Sequence, residues 1–168
     1  MLNLIPKLIV PSVCELTPEL LKEKNISLLL MDFDNTLLPY TEDTADETVL
    51  AWLKSVQAAG IRLCVLSNTK RDRAPAFCRA HGIDCITHAR KPFQSGIRRC
   101  LSQYAAEGEV AALVGDQIYT DVLCANTAGL LSILVTPLHL HNIWLKLRHI
   151  LEKPWIAIGK RRLRSAET

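Results

Sequence analysis

The 168-residue sequence lacks the features that mark several large classes of protein. None of its six cysteines forms a C-x-x-C pair, and most lie within apolar segments, which favours reduced thiols in a reducing compartment. No apolar run approaches the roughly 20 residues that a membrane-spanning helix needs. The net charge of +3 is too small to indicate a nucleic-acid-binding protein, so no nucleic-acid partner is expected.

The chain also lacks any sign of internal division. It contains no repeat, low-complexity segment or linker, and its apolar N-terminus is broken by Pro6 and Pro11 and has no clear signal-peptide cleavage site. A chain of this length favours one domain with a proper core. We therefore expect a single cytoplasmic domain over residues 1–168, with its core at about 26–138 and a tail at 139–168.

Short apolar runs alternate with amphipathic segments along the chain. The apolar runs predict strands at 28–31, 61–66, 83–86, 110–114 and 130–135, and the other segments predict helices at 46–59, 73–81, 93–106 and 119–128. This alternation predicts a mainly parallel sheet with right-handed crossovers and helices on both faces. The expected fold class is therefore α/β, with a Rossmann-like three-layer α/β/α arrangement.

Polar side chains follow the ends of four predicted strands. They are Asp32 and Asp34 after the first strand, and Ser67, Asn68, Lys91, Asp116 and Asp121 after the later ones. Ligands of open parallel sheets bind beyond the carboxyl ends of the strands. We therefore expect these side chains to meet at one edge of the sheet.

Phosphoryl transfer is a reaction that these residues could carry out together. A carboxylate at a strand end, such as Asp32, can act as a nucleophile, and Asp34 projects on the same side because strand side chains alternate. Asp34 could protonate a leaving group and later activate water. Close carboxylates repel each other, so the addition of Asp116 predicts a divalent cation, and oxygen-only ligands favour Mg²⁺. Lys91 and Ser67 would hold phosphate oxygens.

Each of these segments also has a purely structural explanation when it is taken alone. Residues 34–36 could form a turn or helix cap, and 67–68 a loop cap. Lys91 could be a solvated lysine, and 115–116 a plain strand-to-helix turn. Their joint order at one sheet edge favours a shared site over four separate explanations.

The same residues resemble the motifs of the haloacid dehalogenase (HAD) superfamily. The segment DFDNT at 32–36 is similar to its D-x-D-x-T first motif, LSN at 66–68 to the second, Lys91 to the third, and GDQIYTD at 115–121 to the fourth. The resemblance covers roughly 28–135 and implies a HAD-like fold of the type already expected. Too few residues separate the motifs for a separate cap domain, so the site should be open.

The resemblance implies a role for each matched residue. Asp32 would be the nucleophile that becomes an aspartyl phosphate, and Asp34 the general acid and base. Magnesium would be held by the carboxylates of Asp32 and Asp116 and by the backbone carbonyl of Asp34, with Asp121 as a supporting carboxylate. The third-motif lysine would be catalytic as well as substrate-binding. The residues expected to contact the phosphate are Ser67, Asn68, Lys91 and Asn35.

Two longer stretches, TPELLKEKNISLLLMDFDNTL at 17–37 and VGDQIYTDVLCANTAGLLSILVTPL at 114–138, resemble the YqeG-type branch of the superfamily. That branch is similar to the mitochondrial phosphatidylglycerophosphate phosphatases. The implied function is Mg²⁺-dependent dephosphorylation of phosphatidylglycerophosphate. One alternative is a phosphatase of a soluble sugar phosphate, nucleotide or phosphoprotein. Another is a non-catalytic module that docks on a nucleotide-binding protein or ribosome, although such a module needs no nucleophile–acid pair.

The tail differs in composition from the rest of the chain. Ile143, Leu147, Ile150 and Leu151 recur at helical spacing among lysines and arginines, and KRRLR follows near the end. An amphipathic helix could pack on the sheet and leave a solvated basic end. Alternatively, these residues could contact an anionic membrane surface at the inner face of the membrane, with Trp144 and Trp155 at the level of the lipid headgroups. The sequence leaves both possibilities open, as it does the oligomeric state.

Overall fold

The computed structural model describes residues 3–69, 72–105, 108–140 and 143–166. Within these residues the strands are β1 Leu8–Ile9, β2 Ile26–Met31, β3 Arg62–Leu66, β4 Asp84–Ile86, β5 Val110–Gly115 and β6 Leu131–Leu134. They form one sheet in the order β1-β6-β5-β2-β3-β4. Every neighbouring pair in this sheet is parallel, which confirms the predicted fold class.

Helices cover both faces of the sheet. They are α1 Pro18–Glu23, α2 Glu47–Ala58, α3 Arg73–His81, α4 Ser95–Tyr104, α5 Leu123–Thr127 and α6 Ile143–Ala166. Side chains of α1, α2 and α3 pack into one buried cluster against the sheet, and those of α4 and α5 pack into a second cluster on the other face. The three-layer α/β/α arrangement is therefore confirmed.

The interior strand β2 positions the first polar residue of the predicted site, Asp32. Leu28 and Leu30 face α4 and α5, whereas Leu29 and Met31 face the opposite layer, because side chains alternate along a strand. All four are fully buried, as expected of a strand covered on both faces. The pairing continues one residue further, where the backbone N–H of Asp32 donates to Val114 O at 2.9 Å. The sheet therefore still holds the backbone of the first polar residue.

Strand β1 and helix α1, both near the N-terminus, were not predicted. The two-residue strand β1 pairs with β6 through Leu8 and Ile133, so the sheet extends beyond the expected core of 26–138. Such a short strand shows no periodicity. Helix α1 begins after Thr17, whose Oγ1 accepts from the Leu20 N–H at 3.3 Å. A capping threonine followed by Pro18 at the first helical position is a recognisable start signal, so α1 was predictable from the sequence.

The predicted helices differ from the observed ones mainly at their ends. The helix expected at 93–106 is observed as α4, and Phe93 lies outside it with 72% of its surface exposed; Ala106 lies outside the described residues. The helix expected at 119–128 is divided into a π-helical turn at Ile118–Val122 and then α5. The six cysteines are free thiols, as expected.

Helix α6 contacts the core through a face that was not predicted. Trp155, one of the two tryptophans expected at a membrane interface, is instead half-buried and packs with Ile156 against a small cluster that includes Ile118 and Leu134. Gly159 permits close approach to the N-terminal segment, since a Cβ there would lie 3.0 Å from Pro6 Cγ. The apolar residues proposed for packing on the sheet are instead exposed: Ile143, Leu147, Ile150 and Leu151. That alternative is therefore wrong for these four residues. No described helix is both long enough and apolar enough to cross a membrane.

The burial of β2 predicts that shortening its side chains lowers the stability of the fold. We expect Leu29→Ala to lower the free energy of unfolding by about 2–5 kcal/mol, because it leaves a cavity in a packed core. Leu147→Ala, an equal truncation at an exposed position, should change it by less than about 0.5 kcal/mol. Urea unfolding followed by tryptophan fluorescence measures both. Equal effects of the two substitutions would contradict the assigned burial.

Candidate active site

Four of the predicted site residues meet at the carboxyl edge of the sheet. Asp32 follows β2, Asp116 follows β5, Asp121 lies in the π-helical turn, and Lys91 lies in the loop between β4 and α4. Carboxylate oxygens of the three aspartates lie within 4.8 Å of one another. The Lys91 ammonium donates to Asp32 Oδ1 and, at 2.6 Å, to Asp121 Oδ1. The structure thus brings residues from three separate motifs into one ionic cluster.

Lys91 is a buried cation, in contrast to the solvated lysine that was one possibility from the sequence. Burial alone would lower the pKa of Lys91, but the charges of Asp121 and Asp32 outweigh this effect and raise the pKa. Lys91 therefore remains protonated at neutral pH. A fixed positive charge beside Asp32 can stabilise an anionic group that approaches this carboxylate.

The side chain of Asn68 holds the backbone of Lys91. The Lys91 N–H donates to Asn68 Oδ1 at 2.8 Å, and Asn68 Nδ2 donates to Lys91 O at 3.0 Å. These contacts use the oxygen and one N–H of the Asn68 amide, so the phosphate contact expected from the sequence stays a prediction. Its observed role is to position Lys91.

Asn35 and Ser67 shape the turns that surround the cluster. Asn35 adopts a left-handed backbone with φ of 63°, which asparagine tolerates, and its Oδ1 accepts from the Tyr40 N–H at 3.3 Å. This turn contact uses only the side-chain oxygen of Asn35, so its expected phosphate contact stays a prediction. Ser67 Oγ accepts from the Thr69 N–H at 3.1 Å. The Ser67 hydroxyl still has a proton that it can donate to a phosphate oxygen.

Asp116 carries an oxygen that suits a metal ion. Its Oδ2 is buried and has no hydrogen-bond partner among the described residues, and Arg148 Nη2 lies 4.0 Å from it. Burial raises the pKa of Asp116 well above its ordinary value, and the charges of Asp32 and Asp121 raise it further. A buried carboxylate next to two others is costly without a cation. The oxygen-only donor set therefore fits Mg²⁺.

Asp121 differs from Asp116 because both of its oxygens have donors. Oδ1 accepts from Lys91, and Oδ2 accepts from the Gln117 N–H at 3.2 Å. Burial raises the pKa of Asp121 to about 6, although Lys91 opposes this shift. Gly115 makes room for the arrangement, since a Cβ at this position would overlap the Asp121 carboxylate. These contacts fit the supporting role expected for Asp121.

Asp34 faces a different partner, Arg73. The Arg73 Nη1 lies 2.6 Å from Asp34 Oδ1, its Nε lies 3.0 Å from Asp43 Oδ1, and the guanidinium lies 5.2 Å from the centroid of the Phe33 ring. Burial raises the pKa of Asp34 and the charge of Asp32 adds to this, whereas Arg73 lowers it. A carboxyl group under such opposed influences can both carry and release a proton.

Arg73, Arg148 and Glu152 were not recognised from the sequence. Arg73 is the first residue of α3, and a helix that begins directly after the second motif places its first turn at the same sheet edge. That placement was a usable signal. Glu152 Oε1 accepts from the Ile118 N–H at 3.0 Å, and so joins α6 to the turn that carries Asp121. No sequence pattern indicates this pairing, because 34 residues separate the two groups.

The site has loops rather than a cap domain around it. Residues 32–46 between β2 and α2 contain turns and no helix, and the described residues between β3 and α3 form a short loop. The cavity at Asp34, lined by Phe33, Tyr40, Thr69 and Arg73, measures about 10 Å³, close to the space of one water molecule.

Comparisons with known proteins agree with this geometry. Residues 88–137 match the HAD-hydrolase-like family. The chain is 33% identical over 133 residues to the probable phosphatase YqeG of Bacillus subtilis, which covers 79% of this chain and 77% of that protein. It is 27% identical over 143 residues to the chloroplastic phosphatidylglycerophosphate phosphatase 1 of Chlamydomonas reinhardtii, which covers 80% of this chain but 53% of that longer protein.

A solved structure supports the fold alone. The crystal structure of an uncharacterized protein from Listeria monocytogenes serotype 4b matches with a TM-score of 0.54 and 17% identity, over 77% of this chain and 99% of that chain.

Fold and sequence together define a HAD-like hydrolase. The identity to the Bacillus subtilis protein, over most of both chains, shows that this chain belongs to the YqeG family of HAD-type phosphatases. It is therefore a phosphatase, and its substrate is a phosphate ester.

The Asp34–Arg73 pair predicts an effect on the pH dependence of hydrolysis. Arg73→Met removes a charge that opposes protonation of Asp34, so the pKa of Asp34 should rise further. If Asp34 donates the proton, the alkaline limb of kcat/KM for an aryl phosphate should move up by about 1 pH unit. Arg73→Lys keeps the charge and should shift the limb less. An unchanged limb in Arg73→Met would exclude Asp34 as the acid.

Proposed function

We propose that this protein is a Mg²⁺-dependent phosphomonoester hydrolase that acts through an aspartyl phosphate and converts phosphatidylglycerophosphate to phosphatidylglycerol. The observation that carries the reaction is the position of Asp32. It is a buried carboxylate at the end of an interior strand, and it contacts the buried cation of Lys91 next to the unpartnered oxygen of Asp116. Similarity to a phosphatidylglycerophosphate phosphatase supports the substrate.

In the first half-reaction, a carboxylate oxygen of Asp32 attacks phosphorus. A bond between Asp32 and phosphorus forms as the ester P–O bond breaks, and the departing alkoxide takes its proton from Asp34. Lys91 stays protonated beside Asp32 and stabilises the charge on the phosphoryl oxygens, to which the Ser67 hydroxyl also donates.

In the second half-reaction, Asp34 removes a proton from a water molecule as the water oxygen attacks the phosphorus of the aspartyl phosphate. The bond to Asp32 breaks, inorganic phosphate leaves, and the proton taken from water replaces the one that Asp34 gave to the departing alcohol. The residues that would hold Mg²⁺ are Asp32 and Asp116 through their carboxylates and Asp34 through its backbone carbonyl. When bound, the ion supplies positive charge that offsets repulsion between the substrate phosphate and these carboxylates.

The first experiment measures phosphate release from phosphatidylglycerophosphate in mixed micelles, with Mg²⁺ or with EDTA. We expect release with Mg²⁺, little with EDTA, and a loss of several orders of magnitude in Asp32→Asn, because the amide is a poor nucleophile. Asp84→Asn is the matched control. Asp84 begins β4 and so lies at the opposite edge of the sheet.

The outcomes separate the alternatives. Turnover of an aryl phosphate without turnover of the lipid would keep the mechanism and reject the lipid substrate, in favour of a soluble phosphate ester or a phosphoprotein. An Asp32→Asn variant that retains activity would reject the aspartyl phosphate. Full activity in EDTA would reject the requirement for a metal ion.

Exposed apolar side chains around the site support a substrate that lies in a membrane. Tyr40, Phe93 and Leu138 are all exposed, and each lies in a segment that follows a strand at the carboxyl edge. Trp144, at the start of α6, has 75% of its surface exposed. Exposed apolar residues concentrated on one side of a protein indicate a contact surface.

The charge of α6 suits an anionic surface. The helix carries seven lysines and arginines against one carboxylate, that of Glu152, which is buried. Its exposed apolar residues Ile143, Leu147, Ile150 and Leu151 recur on one face, as in helices that lie in a membrane interface. We infer that α6 holds the protein peripherally on an anionic bilayer, with the carboxyl edge of the sheet toward the lipid.

This membrane contact can be tested without a substrate. We expect the protein to sediment with vesicles of phosphatidylcholine and phosphatidylglycerol, and less with phosphatidylcholine alone. The double variant Trp144→Ser, Ile150→Ser should bind at least roughly tenfold more weakly, since burying one such side chain contributes about 1.5–3 kcal/mol. Val110→Ser, at an exposed apolar position where β5 begins, is the control. Unaltered binding of the double variant would refute the assigned face.

A further inference from the structure

A pocket of about 330 Å³ lies between α6 and the residues that follow β6. Its apolar lining includes Ile9, Leu134, Val135 and Pro137. Asp116, a member of the ionic cluster of the candidate site, also lines it, so the pocket borders that cluster. The four sequence motifs and the steps of the proposed reaction leave this pocket without a role.

One face of α6 supplies the charge of the pocket. His149, Lys153 and Lys160 line it, and their spacing of four and seven residues places them on the same side of a helix. Within the described part of the chain, neither lysine has a carboxylate at ion-pair distance. Burial, with Lys153 and Arg148 nearby, lowers the pKa of His149, so its imidazole is neutral at pH 7. The positive charge therefore comes from the two lysines.

The composition of the pocket limits what it can bind. Two exposed ammonium groups attract an anion, whereas the apolar lining favours hydrocarbon beside it. Because Asp116 belongs both to the pocket and to the cluster around Asp32, a molecule in the pocket lies next to the site of hydrolysis. The pocket thus suits an anionic group joined both to a phosphomonoester and to an apolar chain.

We propose that this pocket is a substrate subsite in which Lys153 and Lys160 bind a second anionic group, a phosphodiester, of the molecule whose terminal phosphate reaches Asp32. The proposal rests on the proposed function for the reaction and adds the residues that select the substrate. The phosphodiester could belong to a lipid or to a soluble glycerol ester, and the apolar lining favours the lipid.

The test measures inhibition of aryl phosphate hydrolysis by a phosphodiester that has no phosphomonoester to lose. The probes are a short-chain phosphatidylglycerol below its micelle concentration and its deacylated form, glycerophosphoglycerol. We expect competitive inhibition by both, stronger for the acylated probe. In the double variant Lys153→Ala, Lys160→Ala the inhibition constant of each should rise about tenfold or more, since both lysine contacts to the phosphodiester are lost.

Lys54→Ala is the matched control. It removes one exposed lysine from the C-terminal half of α2, outside the pocket, and should leave the inhibition constants unchanged. Equal inhibition of the wild type and the double variant, or no inhibition of the wild type, would overturn the subsite. Stronger inhibition by the deacylated probe would overturn the lipid assignment.

The inhibition test also separates this proposal from the proposed function. Inhibition that depends on the two lysines, without turnover of phosphatidylglycerophosphate, would retain the subsite and reject the lipid as substrate. Calorimetric titration with short-chain phosphatidylglycerol gives the dissociation constant even if no aryl phosphate is hydrolysed. A dissociation constant that is the same in the wild type and the double variant would overturn the subsite by this second measurement.

Discussion

The ion pairs of Lys91 with Asp32 and Asp121 are the interaction on which the site depends. Three buried carboxylates within 4.8 Å of one another would repel strongly without a cation among them. Asn68 fixes the backbone of this lysine, and Gly115 leaves space for the Asp121 carboxylate. A buried pair that loses one partner leaves an uncompensated charge, which typically costs about 3–5 kcal/mol. The residues that prepare Asp32 for chemistry therefore also maintain the fold at this edge.

The sequence predicts the parts of the fold in which one element repeats a pattern many times. The apolar run in β2 and the helical spacing in α2 each contain enough residues to identify the element, and the order of strands and helices then restricts the sheet to parallel pairing. The two-residue β1 contains no such repetition, and its place in the sheet comes from pairing with a strand more than 120 residues away. The π-helical turn depends similarly on Glu152 of α6. These features follow from tertiary contacts, which local patterns do not encode.

The same distinction holds for the candidate site: the sequence predicts which residues meet, but not which partner each side chain contacts. Residue type and position at the strand ends were enough to predict that Asp32, Lys91, Asp116 and Asp121 meet, because parallel strands bring their carboxyl ends to one edge. The partners of each side chain were not predictable. Asn68 could equally have faced a phosphate, and its contact with Lys91 depends on the course of a loop 23 residues away. Arg73 approaches Asp34 only because the turn after β2 and the start of α3 face each other.

Helix α6 gives a physical reason why a phosphatase of this shape can act without a cap domain. A site flanked only by loops exposes its intermediate to water and cannot enclose a small substrate, so water exclusion and selectivity must come from the surroundings. One face of α6 holds the π-helical turn through Glu152, a second lines the pocket beside Asp116, and a third exposes apolar side chains. If the third face rests on a bilayer, the lipid surface covers the carboxyl edge of the sheet in place of a cap. A substrate anchored in that surface then arrives already oriented, which lowers the entropic cost of placing its phosphate against Asp32.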